Sequence, residues 1–556
     1  MFRDTKNILL FILISVSFSS FGQNTIGTIE IGDGVQEGYT LFAPNSSVDV
    51  YLVDNCGNLI NEWKTQQRPG LSVYLTPEGN LVKTRKEVNN TFFAGGSGGG
   101  IEIYNWDGTR IWEFVLSDDK NLLHHDIAIL PNGNILAIAF ERISQEEALN
   151  LGRKFDLTSE NGLWTDIIIE IAVLPNLQSE IVWKWRAIDH IVQDENPNLS
   201  NFGNIRDFPE RLDINFTNGI LTATSILDWM HSNAIDYNAE LDQIILNSRN
   251  YSEFYIIDHS TTTEEASTSE GGQYGKGGDL LYRWGNPQAY NAGTTEDRKL
   301  FSQHDAHWID EGLEDEGKIF VFNNGLDRPG GVRSSVDIIA TPVLEDGSYM
   351  LDGFRFEPEE AEWVYGLGEN DEDITSPRIS GVGRQANGNT LITVGNEGEL
   401  IEIDKDKNVV WRYIVPVAGS MPNTQGNPPV ANTTFRSYKY PLDYMAFSNN
   451  NISTGEPIEF NSNNSFCLVL PVDETAELVN PIKLYGNLIA DELRLHSNQK
   501  ISISIMDING QVHYTFDVQI GEQTVAIPAL MPGMYLIKAT KPNSTIFVNQ
   551  KFIKTQ

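Results

Sequence analysis

Positive charge is scarce in this 556-residue chain: 39 lysines and arginines stand against 76 aspartates and glutamates, a formal net charge of −37. A field of that sign repels nucleic-acid phosphates and anionic lipid, which excludes both as main partners. A site for an anionic substrate would have to be locally positive against this background. Long apolar runs are also missing. No segment reaches the roughly 20 residues a membrane-spanning helix needs. There is no Walker-type loop: the glycine-rich stretch from Gly95 to Gly100 lacks the following lysine and reads as a turn. Cysteine is limited to Cys56 and Cys467. A bridge between them, near the two ends of the main domain, would staple it closed outside the cytoplasm; two buried thiols are the alternative.

What is present begins with an export signal. Arg3 and Lys6 form a basic start, Ile8 to Phe18 an apolar core, and Ser20 and Gly22 the small residues of a cleavage site, so residues 1–22 read as a signal peptide. Glycine (47), tryptophan (11), tyrosine (19) and phenylalanine (26) suit many short strands joined by tight turns.

The chain then repeats itself. Turns such as Pro77-Glu78-Gly79-Asn80, Pro131-Asn132-Gly133-Asn134 and Ala386-Asn387-Gly388-Asn389 introduce β-rich runs. Later strands end on aromatics: Trp63 alone, then Trp112 with Phe114, Trp183 with Trp185, Tyr282 with Trp284, Trp363 with Tyr365, and Trp411 with Tyr413. Alternation puts both members of a pair on one strand face, able to fill the gap between sheets. Six such units predict an all-β chain: a six-bladed β-propeller over residues 23–445, with a two-sheet sandwich array as the alternative. Residues 186–228 and 260–279 read as insertions, the first partly helical and the second a lid-like loop. An Asn/Ser-rich linker over 446–480 leads to a small β-sandwich module over 481–556.

That module resembles the sorting domain of type IX secretion cargo in Bacteroidetes. The matching residues are Leu484-Tyr485-Gly486-Asn487, Asp491-Glu492-Leu493, Ile505 to Gly510, Leu530 to Tyr535 and Lys551 to Lys554; Gly486 and Leu488 replace the usual prolines. The resemblance implies the type IX machinery as a partner and a secreted or cell-surface location.

The propeller resembles the arylsulfate sulfotransferase family over most of 35–445. The resemblance is carried by His124-His125-Asp126 to Asn134, Asp228-Trp229-Met230-His231, Leu246 to Asn250, Gln303-His304-Asp305-Ala306-His307-Trp308, Asn323 to Arg328 and Asn387 to Leu391. It implies an enzyme that moves a sulfuryl group from an aryl sulfate donor to a phenolic acceptor. No nucleotide sulfate and no metal is expected as cofactor. Charge spreads over the sulfuryl oxygens in a loose transition state, so positioning and positive donors matter most. Histidine can hold the anion, move the phenol proton or carry the group, and arginine is a permanent fork for oxyanions.

By resemblance, His231 and His304 are the catalytic histidines, and Arg328 clamps the sulfate oxygens. Arg249 and Arg384 are further candidates for the anion pocket. Adjacent residues on a strand face opposite ways, so of His124 and His125 only one reaches the channel, and His125 is preferred. The same argument separates His304 from His307, which is expected to pack, with substrate binding as its other reading. As a metal pair on a strand, the two would diverge. His190, His259, His496 and His513 read as structural. One departure matters: enterobacterial members carry a reactive histidine in a blade after the arginine motif, and this chain has none between His307 and His496. The nucleophile is then His231, His304 or His125, or transfer is direct, or this branch has lost transferase activity. An aryl sulfate hydrolase on the same pocket and a non-catalytic glycan- or protein-binding propeller are the alternatives. The acidic loop Glu311–Glu316 leaves calcium binding open.

Overall fold

The computed structural model describes residues 24–175, 178–219 and 226–463, and beyond them 467, 482–484, 488–489, 491–497, 500–507, 511–528, 530–540 and 549–555. The signal peptide expected at 1–22 lies outside the described residues. The chain divides into two compact units, 1–464 and 465–556.

The first unit is a six-bladed propeller. Six antiparallel sheets, five of four strands and one of five, each run outward from an innermost strand. The innermost strands are Pro69–Leu75, Asn121–Ile129, Ser232–Asn238, His304–Trp308, Gly381–Arg384 and Thr434–Pro441, and they define blades one to six. Each touches the next, and the sixth touches the first, so the ring is closed. Closure joins distant parts of the chain: the inner strand of blade six, Thr434–Pro441, pairs with Gly38–Pro44, which continues to Val50–Asp54 and Leu59–Trp63. The strand Gly27–Ile31 adds a fifth, outer strand to blade five.

The aromatic repeat lies on the fourth strand out from the channel in every blade, and its purpose is visible. Five indole N–H groups donate to a backbone carbonyl of the following blade. Trp63 binds Asn105 O at 3.0 Å, Trp112 Gln178 O at 3.1 Å, Trp185 Gly278 O at 2.8 Å, Trp284 Pro358 O at 2.6 Å and Trp411 Asn55 O at 2.7 Å. Each ring therefore buries a large apolar face between sheets while its polar handle is satisfied. Trp63, Trp185 and Trp411 have no exposed surface.

The insertions close gaps between blades. The described part of 186–228 holds only short 3-10 turns and two-residue strands, apart from a brief helical turn at Ile226 and Leu227, rather than a sustained helix. The stretch 260–279 is packed in place, with His190 bonded at 2.8 Å both to Asp279 Oδ1 and to Ala266 O. The opening part of the segment expected as linker lies against the propeller: Ala446 and Phe447 enter its core, and Pro457 and Phe460 bridge to Asn58 and Thr424.

In the second unit, Ile482–Leu484, Glu492–Ser497 and Gly521–Ala526 form one sheet. Leu488–Ile489, Asn549–Lys554, Gly533–Thr540, Ile501–Asp507 and Val512–Val518 form the other. Alternating apolar residues such as Leu493, Leu495, Ile503, Ile505 and Ile537 make its core. Neither Cys56 nor Cys467 is a free thiol.

Candidate active site in the propeller channel

The inner strands do not run regularly at their start. In blade two, three residues, His124, His125 and Asp126, stand opposite one residue of the neighbouring strand. In blade four, two residues, Asp305 and Ala306, stand opposite one, with Asp305 at φ 59°. Blade three shifts register at Asn233, and His231 just before it has φ 50°. Such bulges break alternation and re-aim side chains, and a left-handed backbone at a non-glycine residue is costly unless its surroundings impose it.

The bulge overturns the expectation that His124 and His125 face apart. Their ring centroids are 4.2 Å apart, and both rings are buried. His124 also meets His231 edge-on at 5.2 Å, and His125 and His304 meet the ring of Phe435 at 4.8 and 6.4 Å. Blades two, three and four thus bring four histidines to one end of the channel. His304 is 4% exposed; the side chain of His231, at 13%, is the most open of the four.

Two of the four are oriented by a second residue. His231 Nδ1 is 2.5 Å from Asp228 Oδ2. The carboxylate accepts, so the proton is on Nδ1 and the Nε2 lone pair is free. His304 Nδ1 is 2.7 Å from Asn324 Oδ1, and the amide is fixed by its Nδ2 donating to Ser376 O and Ile379 O at 2.7 and 2.8 Å. An amide oxygen only accepts, so His304 also keeps Nε2 free. Gln303 anchors this strand start by donating to Asn247, Ser248 and Glu253. Among the described residues, the ring nitrogens of His124 and His125 have no hydrogen-bond partner. Burial, helped by neighbouring positive groups, holds His124, His125 and His304 well below the ordinary histidine pKa. Behind the Asp228–His231 pair, burial and the Asp228 charge push the Asp166 carboxyl up to about 7 while it accepts from Ser232 N.

The glycine-rich stretch is part of this site. A Cβ at Gly96 would lie 2.5 Å from His124 Cε1 and 2.6 Å from His125 Nδ1, and one at Gly95 4.0 Å from His231 Cε1. Only a residue without a side chain lets this backbone lie on the imidazoles, and Gly96 also has φ +78°.

The expected arginines separate. Arg249 joins the histidines: it follows His231 across a backbone hydrogen bond and interacts electrostatically with His304, Asp228, Asp327 and Arg378. Arg328 donates to Ser335 Oγ at 3.0 Å and lies over the Phe301 ring, and its hydrogen bonds do not reach the histidines. Arg384 and His307 line the opposite mouth, Arg384 bound to Asp315 at 2.8 Å and His307 Nδ1 to Asp305 O at 2.9 Å. Among the described residues no group of three or more His, Cys, Asp or Glu is arranged to hold a metal ion.

Arg436, unassigned by sequence reasoning, forms the floor of the site. From blade six it reaches Asp126 Oδ2 at 2.8 Å in blade two, Asn233 O at 3.0 Å in blade three and lies 2.9 Å from Asp305 Oδ1 in blade four. Those are the far blades, so its side chain crosses the channel. The legible signal was the His-Asp pair that occurs twice, at His125-Asp126 and His304-Asp305.

Fold and site define a β-propeller whose channel end gathers four histidines beside Arg249, in a chain that carries its own export module. The chain belongs to the arylsulfotransferase (ASST) family, whose model matches residues 35–337. A second model, the secretion system C-terminal sorting domain, matches 483–555, and the protein is accordingly one of the secreted or cell-surface class. No curated protein matches the chain. Among solved structures it is similar to a protein of unknown function from Bacteroides caccae (13% identity, 68% of this chain and 93% of that one, TM-score 0.37). It is also similar to a streptogramin B lyase (10%, 71% and 88%, 0.33) and to the Pseudomonas aeruginosa periplasmic gluconolactonase PpgL (11%, 88% and 100%, 0.33). At these scores they add nothing to the architecture described above.

Proposed function

We propose that the protein is a secreted sulfotransferase that moves a sulfuryl group from an aryl sulfate ester to a phenolic acceptor without a nucleotide donor. The observation that carries this reading is the convergence of His231 and His304, each oriented through Nδ1 and open at Nε2, beside the cation of Arg249.

In the proposed reaction the His304 Nε2 lone pair forms an N–S bond as the bond from sulfur to the donor's phenolic oxygen breaks. His231, carrying its second proton, gives that proton to the departing phenolate. In the return step His231 takes the acceptor's phenolic proton, the acceptor oxygen forms the new S–O bond, and the N–S bond breaks. Asp228 is placed to stabilise the doubly protonated His231 ring, in the manner of a carboxylate-oriented imidazole. Low proton affinity keeps His304 neutral and nucleophilic. Arg249 offsets charge on the sulfuryl oxygens. Blade five supplies no histidine from its inner strand Gly381–Arg384, so the nucleophile is sought among blades two to four.

The test is an assay of the purified protein with an aryl sulfate ester, with and without added phenol, beside His231→Ala and His304→Ala. Acceptor-dependent release of the donor's phenol that disappears in both variants supports the transferase. Release without acceptor makes it a hydrolase, and no turnover across several donors refutes the enzyme reading.

A further inference from the structure

Beyond the Arg436 crossing, the channel opens into a cavity of about 920 Å³ at the other mouth, and none of the four clustered histidines lines it. Its volume lies within the range of small-molecule sites. Its walls are the far ends of the inner strands and the turns after them, including Leu75, Ile129 and Trp308.

The charges on these walls are unequally engaged. Three cations line the cavity and each is already matched: Arg384 by Asp315 at 2.8 Å, Lys439 by Glu402 at 2.6 Å, and Arg436 by Asp126 and Asp305. Four lining carboxylates, Glu78, Asp236, Asp310 and Glu311, take part in no ion pair among the described residues. Asp236 accepts backbone N–H groups, from Tyr237 and, on its Oδ2, from Trp308 at 3.0 Å, and has His307 as its neighbouring positive group. The cavity therefore offers an apolar wall and an excess of carboxylates over cations, with Glu78, Asp310 and Glu311 in no ion pair among the described residues. It is the reverse of the histidine end, where the imidazoles stand beside the cation of Arg249.

We propose that this cavity binds an organic cation with an apolar body, an arylalkyl ammonium in chemical class, at a site separate from the sulfuryl-transfer centre. Ring and chain would take the place of water against the apolar walls, and the ammonium would face Asp236, Asp310 and Glu311. The proposal does not depend on turnover at the histidines.

The experiment is isothermal titration of the full chain with three probes sharing one ring system: 1-naphthylmethylammonium, 1-naphthylmethanol and 1-naphthalenesulfonate. The ammonium is expected to bind at least tenfold more tightly than the alcohol. Asp310→Asn combined with Glu311→Gln, at exposed positions, should weaken the ammonium at least fivefold and leave aryl sulfate turnover unchanged. His231→Ala should leave ammonium binding intact. No ammonium binding, equal binding of ammonium and alcohol, or binding indifferent to the carboxylate variants would overturn the proposal. Loss of ammonium binding in His231→Ala would overturn the separateness of the two sites. Absence of turnover would touch only the sulfotransferase reading.

Discussion

Arg436, near the start of the last inner strand, donates Nη1–H to Asp126 Oδ2 at 2.8 Å across the channel in blade two. Asp126 in turn accepts from Ser72 Oγ, Tyr74 OH and Ile235 N. One buried ion pair therefore ties blades one, two, three and six. Removing one partner of such a pair strands the other's charge. Arg436→Met is expected to cost about 3–5 kcal/mol, read as a lower denaturant midpoint at unchanged slope.

The Asp228 carboxylate makes its hydrogen bond to His231 and touches no reacting atom, so Asp228→Asn separates orientation from fold. An amide can donate to Nδ1 and move the ring proton to Nε2. Turnover should fall about a hundred- to ten-thousand-fold while the melting temperature moves little, the range lost with general acid–base assistance. Unchanged turnover would remove His231 from the proposed mechanism.

Arg249 and Arg328 can be told apart. Arg249 interacts electrostatically with His304 and donates to Asn250 Oδ1 at 3.1 Å, whereas Arg328 is engaged with Ser335 and Phe301. Arg249→Ala should lower kcat/KM by about a hundredfold or more, the scale of a lost oxyanion donor, and Arg328→Ala by less than tenfold. The reverse order would restore Arg328 as the sulfate clamp.

The pH dependence follows from His304. Its folded pKa is held well below the ordinary value near 6.5 by burial, with Arg249, His231 and Arg436 adding to the effect. The ring is thus still neutral below pH 6.5 and loses its lone pair only as pH falls through the depressed value. The acid limb of kcat should lie below the ordinary histidine value; a limb at or above that value would argue against a neutral His304 nucleophile.

Asp166 gives the opposite sign. Its carboxyl is raised from 3.8 to about 7 by burial and by Asp228. The folded state binds the extra proton between those values, so its contribution to stability is lost as pH rises from about 4 to 7. Asp166→Asn, neutral throughout, should gain on the wild type over that window by about 1 kcal/mol per pH unit and show no further gain above pH 7.5. Melting curves of both proteins across pH 4–8 measure the difference.

Much of the architecture is legible along the chain, because each blade writes its own turn and its own aromatic strand. Trp112, Trp185 and Trp411 mark blades in the sequence for the same reason they hold them in space: each must bury a ring and satisfy one N–H against the neighbour. The site was half legible. His231 and His304 stand out by type and motif, but alternation misplaced His124, since a bulge of three residues has no signature in spacing. Gly96 looked like a turn glycine because nothing local says that imidazoles lie on it.

The sequence by itself determined the six-unit repeat, the export module and the histidines available for chemistry, since all three are encoded by residue type and short-range order. Tertiary structure alone decided which of them meet. Ring closure puts Arg436 opposite Asp126, 310 residues earlier in the chain, and sends Arg384 and His307 to the far mouth. The physical reason is that a propeller folds by local pairing within blades, whereas its channel is built only where six distant strand starts converge.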